Sequence, residues 1–346
     1  MQSQIRKQLE GILNNPELSE QALLERTRRV LNQADAYIDA DLKSFAMGNL
    51  IEQTLEELHA ETSSVIPYPW EQLNKVIGGL TRGELIIIGG RPGMGKSTFA
   101  MNILAHCALN DVPALMWAID MNKRQAMMRM LDLYAGEPMG NRFVQQDSAR
   151  NQVLEMWKNK PLFIADDAVY SMEALKVFCR KQVEDHGIQL IVIDYLQLLA
   201  SNRYRHNRES EIAYISKTLK SIARELNIVL LCTSQVSRLV EQRGGEKRPI
   251  LSDLRESGAI EQDADKVLFL YRPEYYGFQF DAEGMSTAGI ADVIVAKNRR
   301  GPLTTITLTV DFTGQGFNDF KSYSSGLMID QKRLNESGLG EEDEPF

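Results

Sequence analysis

Gly90-Arg91-Pro92-Gly93-Met94-Gly95-Lys96-Ser97 is a complete G-x-x-x-x-G-K-[ST] phosphate loop, and the residues on either side of it fit. Ahead of it, Glu84-Leu85-Ile86-Ile87-Ile88-Gly89 is a short apolar, β-branched run that predicts a buried strand. Behind it, Thr98-Phe99-Ala100-Met101-Asn102-Ile103-Leu104 repeats apolar residues at helical spacing. Strand, glycine loop and helix in that order aim backbone N–H groups and a helix N-terminus at one spot, which favours a polyanion. The expected nucleotide contacts are therefore Gly90, Arg91, Pro92, Gly93, Met94, Gly95, Lys96, Ser97 and Thr98. Lys96 is expected to reach the β- and γ-phosphates and Ser97 to hold Mg²⁺. The ligand this implies is a nucleoside triphosphate.

Strand-like runs continue along the chain at Leu85–Ile88, Ala114–Ile119, Leu162–Ala165, Leu190–Ile193, Ile228–Thr233, Lys266–Tyr271, Ala291–Ala296 and Thr305–Val310. Helical patterns separate the first five, which predicts an α/β fold with a mainly parallel sheet and helices on both faces. The last three are joined more tightly and suggest antiparallel additions at the sheet edge. This domain is expected to run from 63 to 328. Before it, 1–62 reads as helical, with Leu50, Ile51, Leu55 and Leu58 forming an apolar stripe on a charged rod. That helix either folds onto its own domain or links to a neighbouring subunit. Pro67 and Pro69 mark the boundary. Residues 329–346 are polar and acidic and read as a disordered tail.

With 346 residues, 43% of them hydrophobic, the chain can bury a large core. A net charge of −8 argues against a generally basic nucleic-acid coat, though a few basic residues in a groove still suffice. Cys107, Cys179 and Cys232 are widely spaced and read as buried thiols in a reducing compartment. The four histidines show no metal-ligand spacing. No signal peptide and no bilayer-length apolar run appear, so the expectation is a cytoplasmic protein with no membrane association.

Hydrolysis needs more than a phosphate loop. Ile191-Val192-Ile193-Asp194 is an apolar strand ending in an acid, the usual place for a carboxylate that supports Mg²⁺. Asp120 closes the Ala114–Ile119 run at the same sheet edge and could orient the attacking water. Gln235, after Leu231-Cys232-Thr233-Ser234, could sense the γ-phosphate. Ligands in open α/β sheets sit at this carboxyl edge. Lys297-Asn298-Arg299-Arg300-Gly301-Pro302 is a basic turn: a solvated hairpin, or a finger supplied to a neighbour's phosphate. Arg205 and Arg208 lie in one basic loop with an aromatic inside it, and Arg238 and Arg243 in another. Such loops suit the phosphates of single-stranded nucleic acid, or are simply solvated.

Taken in order, the phosphate loop, Asp194-Tyr195-Leu196-Gln197-Leu198, Ser234-Gln235, Asp253-Leu254-Arg255-Glu256-Ser257-Gly258 with Glu261-Gln262-Asp263-Ala264-Asp265, and Lys297-x-Arg299-x-Gly301-Pro302 closely resemble the C-terminal ATPase domain of DnaB-type replicative helicases. The resemblance covers about 63–322. It implies a RecA-like fold, a homohexameric ring with ATP between subunits, single-stranded DNA in the channel and 5′→3′ translocation. It also implies that Lys96 and Ser97 bind phosphate and Mg²⁺ and that Asp194 supports the metal. Gln235 would couple nucleotide state to DNA. Lys297 and Arg299 would act in trans, and Arg255, Glu256 and Gly258 would contact the DNA backbone.

Two departures stand out. Where the family carries Ser-Leu-Glu-Met, this chain reads Ala118-Ile119-Asp120-Met121, so the water-orienting carboxylate is one methylene shorter. A misplacement of ~1 Å costs about a hundredfold in rate. The region before Pro67 is also far shorter than the family's N-terminal domain, so the collar that recruits primase is expected to be absent or reduced to two short helices. Forked DNA, a helicase loader and primase are the partners implied. The end, Gly340-Glu341-Glu342-Asp343-Glu344-Pro345-Phe346, resembles the acidic tip of single-strand-binding proteins and reads as a solvated tail or a docking peptide. The main alternative to a helicase is an ATP-switched single-stranded DNA-binding or loading protein that does not unwind. A small-molecule kinase would explain neither the basic turn nor the basic loops.

Overall fold

A computed structural model describes residues 10–15, 19–27, 30, 47, 65–135, 147–166, 171–199, 207–254, 258–311 and 316–320. The chain divides into two units, Met1–Ser63 and Ser64–Phe346. In the first, 10–13 and 20–27 are helical. The apolar stripe at Leu50–Leu58 lies outside the described residues, as do the acidic tail and Arg205, Arg255 and Glu256.

The second unit is built on strand β1, Leu85–Gly90, which is buried along its whole length. Its side chains alternate between two apolar layers. Ile86 and Ile88 pack in the layer that holds Phe99, Ile103 and Cys107, all from helix α2, Lys96–Leu109. Leu85 and Ile87 belong to the opposite layer with Ile212, Ile215 and Leu219. A strand covered by helices on both faces must be apolar throughout rather than alternating, which is what Leu85-Ile86-Ile87-Ile88 provides.

The remaining strands are β2 (Ala114–Ala118), β3 (Leu162–Ala165), β4 (Leu190–Asp194), β5 (Val229–Gln235), β6 (Lys266–Tyr271), β7 (Ile290–Asn298), β8 (Thr304–Asp311) and β9 (Gly316–Asp319). They form one sheet in the order β3-β2-β4-β5-β1-β6-β7-β8-β9. Pairing is parallel from β3 to β6 and antiparallel from β6 outward. The fold is thus α/β with a mainly parallel sheet, as expected from the sequence. One detail is corrected: β6 is no antiparallel edge strand but lies parallel to β1 in the sheet interior. Its crossover helix, Gly258–Asp263, is too short to show a helical period in sequence.

Further helices are α1 (Glu71–Ile77), α3 (Lys123–Ala135), α4 (Asp147–Trp157), α5 (Met172–His186), α6 (Arg208–Glu225), α7 (Leu239–Gln242) and α8 (Gly258–Asp263). The ninth strand went unread because Gly316-Phe317-Asn318-Asp319 holds a single large apolar residue. Tertiary contacts hold it instead. Phe317 meets Phe99 edge to face at 5.3 Å, Trp70 stacks on Phe99 at 4.1 Å, and Trp70 Nε1 donates to Phe317 O at 2.9 Å. Each such aromatic pair contributes about 0.5–1.5 kcal/mol beyond its buried area. Cys107, Cys179 and Cys232 are free, buried thiols. Among the described residues no helix is long and apolar enough to cross a membrane.

Candidate functional site

The turn between β1 and α2 is possible because two of its residues are glycine. Gly93 and Gly95 take φ +82° and +90°, and a Cβ on Gly95 would stand 2.8 Å from Phe317 Cζ. Lys96 and Ser97 therefore open α2, where unpaired N–H groups and the helix dipole favour anionic phosphate. The turn borders a cleft of about 520 Å³ that also receives Asp120, Asp194 and Gln235 from the ends of neighbouring strands. Pro92, Gly93, Met94, Gly95 and Thr98 line it as well, with Arg129, Arg272, Tyr195 and Phe317.

Lys96 Nζ donates to Arg91 O at 3.1 Å, folding back over the loop. Burial pushes its ammonium down to about 8, Asp194 opposing the drop and Arg91 adding to it. Asp194, at the end of β4, is 3% exposed. Its Oδ1 accepts a short hydrogen bond from Thr233 Oγ1 on the adjacent strand β5. That bond fixes the carboxylate's direction. Asp120 is exposed in the turn after β2. Burial, helped by the charges of Asp120 and Asp194, raises the Tyr195 phenol above its ordinary value.

The donor set suits magnesium. Ser97 offers a hydroxyl and Asp194 an oriented carboxylate, the few hard oxygen ligands Mg²⁺ takes while keeping most of its waters. Among the described residues no cluster of three or more His, Cys, Asp and Glu could hold an ion by itself.

Gln235 ends β5 and is held by Gln197, which follows β4. Gln197 Oε1 accepts from Gln235 N at 3.2 Å, and Gln197 Nε2 donates to Ser234 Oγ at 2.8 Å. The sequence alone assigns no individual role to Gln197, Thr233, Arg129 or Arg272. Thr233 and Gln197 act on partners 39 and 38 residues away in sequence, brought together only by the parallel pairing of β4 and β5.

Other expected contacts sit elsewhere. Gly90 ends β1, its carbonyl accepting from Val236 N at 3.3 Å. Arg91 turns toward α7, pairing with Glu241 at 2.7 Å and donating to Val236 O at 3.0 Å. Arg208 is turned into its own domain: it donates to Gln197 O at 2.7 Å and pairs with Glu211 at 2.7 Å. Arg243 pairs with Asp253 at 2.5 Å, whereas Arg238, ahead of α7, is exposed. Gly258 opens α8.

Lys297 and Arg299 lie at the opposite edge of the sheet. Lys297 is level with Val267, which is level with Ile87 in β1, and Arg299 lies beyond it. At ~3.3 Å per residue this puts Arg299 on the order of 15 Å from the phosphate loop of the same chain. Lys297 Nζ donates to Glu261 O and to Gln262 O, and Arg299 pairs with Asp265 at 3.3 Å.

A parallel sheet of this order, with a phosphate loop after β1 and acids at the ends of β4 and β2, defines a RecA-like nucleotide-binding domain. The chain belongs more narrowly to the DnaB-like helicase C-terminal domain family, whose model matches residues 66–320. It is 38% identical over 292 residues to the replicative DNA helicase DnaB of Buchnera aphidicola subsp. Acyrthosiphon pisum, covering 79% of this chain and 62% of that protein. Over 263 residues it is 36% identical to the replicative DNA helicase DnaC of Bacillus subtilis, covering 73% and 57% respectively. A solved ATPase domain superposes with TM-score 0.72 at 30% identity, over 81% of this chain and 100% of that one. A DnaB-like replicative helicase, whose structure was reported with its interactions with primase, gives 0.75 at 28% identity, over 92% of this chain and 76% of that one. The chain thus spans about 62% or less of the curated relatives it matches.

Proposed function

We propose that this chain is the motor of an ATP-dependent, replicative-type DNA helicase, a homohexameric ring that moves 5′→3′ on single-stranded DNA and opens forks. The observation that carries the reading is a division of the site. Lys96, Ser97, Asp120, Asp194 and Gln235 border one cleft, while Lys297 and Arg299 lie at the far edge of the same sheet. Cations that cannot reach their own nucleotide suit a neighbour's, so a ring of identical chains completes every site.

In this reading Lys96 neutralises the β- and γ-phosphates, and the N–H groups of the turn hold the remaining oxygens. Ser97 and Asp194 would hold Mg²⁺, which supplies charge neutralisation across those oxygens. Asp120 orients the attacking water toward the γ-phosphorus. Arg299 of one chain stabilises charge on the γ-phosphoryl group of the next, a contribution worth 10³–10⁵ in rate where it has been measured in other NTPases. Gln235 senses loss of that group and passes it through Gln197 and the segment after β5 to DNA held by Arg238, Arg243, Arg255, Glu256 and Gly258. Arg205 would join that set, whereas the Arg208 guanidinium is already engaged by Gln197 O and Glu211 Oε2 within its own domain. Single-stranded and forked DNA are the substrates of this assembly, and a helicase loader and primase its partners, in a cytoplasmic setting.

The test is steady-state ATP turnover with and without single-stranded DNA, beside native mass measurement of the assembly. The reading expects six copies and many turnovers per DNA-binding event, stimulated by DNA. A single turnover per binding event contradicts a motor.

A further inference from the structure

The run Glu261-Gln262-Asp263-Ala264-Asp265 ends α8 and turns into β6, and both cations of the β7 turn are seated on it. Lys297 Nζ donates to the carbonyls of Glu261 and Gln262. Arg299 Nη2 donates to Gln262 O, its backbone N donates to Asp265 O at 3.0 Å, and its Nη1 pairs with Asp265 Oδ1 at 3.3 Å. A helix C-terminus presents unpaired carbonyls and a partial negative charge, so it suits two cations that would otherwise repel each other. Repulsion from Arg299 is one cause, after burial, that lowers Lys297 below its ordinary value.

The carboxylate of Asp265 is the rigid part of this seat. Its Oδ2 accepts from Leu85 N at 2.8 Å and from Lys220 Nζ at 2.5 Å, and its side chain is only 10% exposed. Lys220 is itself anchored on Gly83 O at 2.9 Å. Arg299, by contrast, is 46% exposed. An arginine that exposed samples many rotamers unless something fixed holds it, and a fixed guanidinium loses less freedom on meeting a phosphate. The 3.3 Å contact is also longer than a tight charge-assisted bond, so the guanidinium can exchange this partner for a phosphate.

We infer that Asp265 is a positioning residue for Arg299: anchored by β1 and α6, it holds the guanidinium in the orientation from which it meets the neighbouring chain's nucleotide. The inference rests on the trans-acting role of Arg299 proposed above. It adds that α8, which follows directly on Arg255, Glu256 and Ser257, is the common seat of both cations. A displacement of α8 therefore moves Lys297 and Arg299 together.

The test uses the full chain carrying Asp265→Asn, a change that keeps an acceptor for Leu85 N but removes the charge facing both Arg299 and Lys220. The expected result is a fall of about tenfold or more in kcat for ATP with KM nearly unchanged, the pattern of an interaction made in the transition state. Asp265→Glu keeps the charge for Lys220, displaces it by one methylene, and should give a smaller loss of the same kind. It also covers the case in which the Asn variant does not fold. Mixing Asp265→Asn chains with Lys96→Ala chains should restore turnover, because an intact Arg299 seat then faces an intact phosphate loop. Wild-type kcat in both Asp265 variants overturns the inference. So does a loss that mixing cannot recover, provided the parallel mixture of Arg299→Ala with Lys96→Ala does recover. If that parallel mixture stays inactive, the shared site itself is wrong.

Discussion

The side-chain amide of Gln197 spans the ends of two adjacent strands: its Oε1 accepts from Gln235 N at 3.2 Å while its Nε2 donates to Ser234 Oγ at 2.8 Å. Gln235 can shift only if this clasp opens or moves with it. Gln197→Leu removes these two bonds, and a longer third one from Nε2 to Gln235 O at 3.4 Å, while keeping the volume. Its stability cost should be about 1–3 kcal/mol, read as a lower melting temperature. The sharper readout is coupling. ATP affinity should change little, whereas stimulation of turnover by single-stranded DNA should fall several-fold. Intact stimulation in this variant would show that Gln235 signals by another route.

Lys96 gives a pH signature. Its free-state ammonium is pushed down to about 8 by burial, and a polyphosphate beside it would raise that value again. Below pH 8 the lysine is already charged, so affinity is flat. Above it, each binding event must take up a proton, and affinity falls toward a limit of about tenfold per pH unit. Calorimetry at pH 9 in two buffers of different ionisation enthalpy should show proton uptake that vanishes near pH 6.5. Equal proton uptake at both values would contradict the assignment.

Asp120 stands where the resembled family carries Glu. If its shorter reach limits the positioning of water, Asp120→Glu should raise kcat, by up to about a hundredfold for a ~1 Å improvement. Asp120→Asn should abolish turnover while nucleotide still binds. Single-turnover hydrolysis separates the two effects from product release. A Glu variant slower than the parent would show that the turn after β2 is built for the shorter acid.

Thr233 is the hydrogen-bond donor that orients the buried Asp194 carboxylate. Thr233→Val replaces the hydroxyl with a methyl of similar size and leaves that charge short of a partner. The expected cost is about 1.5–3 kcal/mol, as for hydrogen bonds to charged groups. Half-maximal turnover should also need more Mg²⁺. An unchanged Mg²⁺ titration would remove Asp194 from the metal's surroundings.

Much of the fold was readable because its strands are buried on both faces. Leu85-Ile86-Ile87-Ile88 and Ile191-Val192-Ile193 are apolar without interruption, and the glycine loop fixes where α2 begins. What stayed hidden depends on distant partners. Gly316–Asp319 pairs with β8 as a strand, and Phe317 anchors it by reaching Trp70 and Phe99, which are more than 200 residues away in sequence. The parallel placement of β6 depends on a six-residue helix. In the site, residue types named the chemistry but not the direction of each side chain. Arg91 belongs to the phosphate loop by position and yet turns to Glu241, and Arg208 looks like a basic loop residue but caps backbone carbonyls. Long cationic side chains settle on the nearest carboxylate or carbonyl that packing supplies, and a single sequence does not give that packing.

In the proposed motor, hydrolysis in this cleft drives strand separation. The most direct measurement is unwinding of a forked duplex with a 5′ tail, with ATP and Mg²⁺, beside a Lys96→Ala chain and a fork tailed only at the 3′ end. A 5′→3′ motor separates the 5′-tailed fork, does nothing with Lys96→Ala, and leaves the 3′-tailed fork intact. Tight, ATP-dependent binding to the tail without separation would contradict it, and would describe a DNA-binding switch instead.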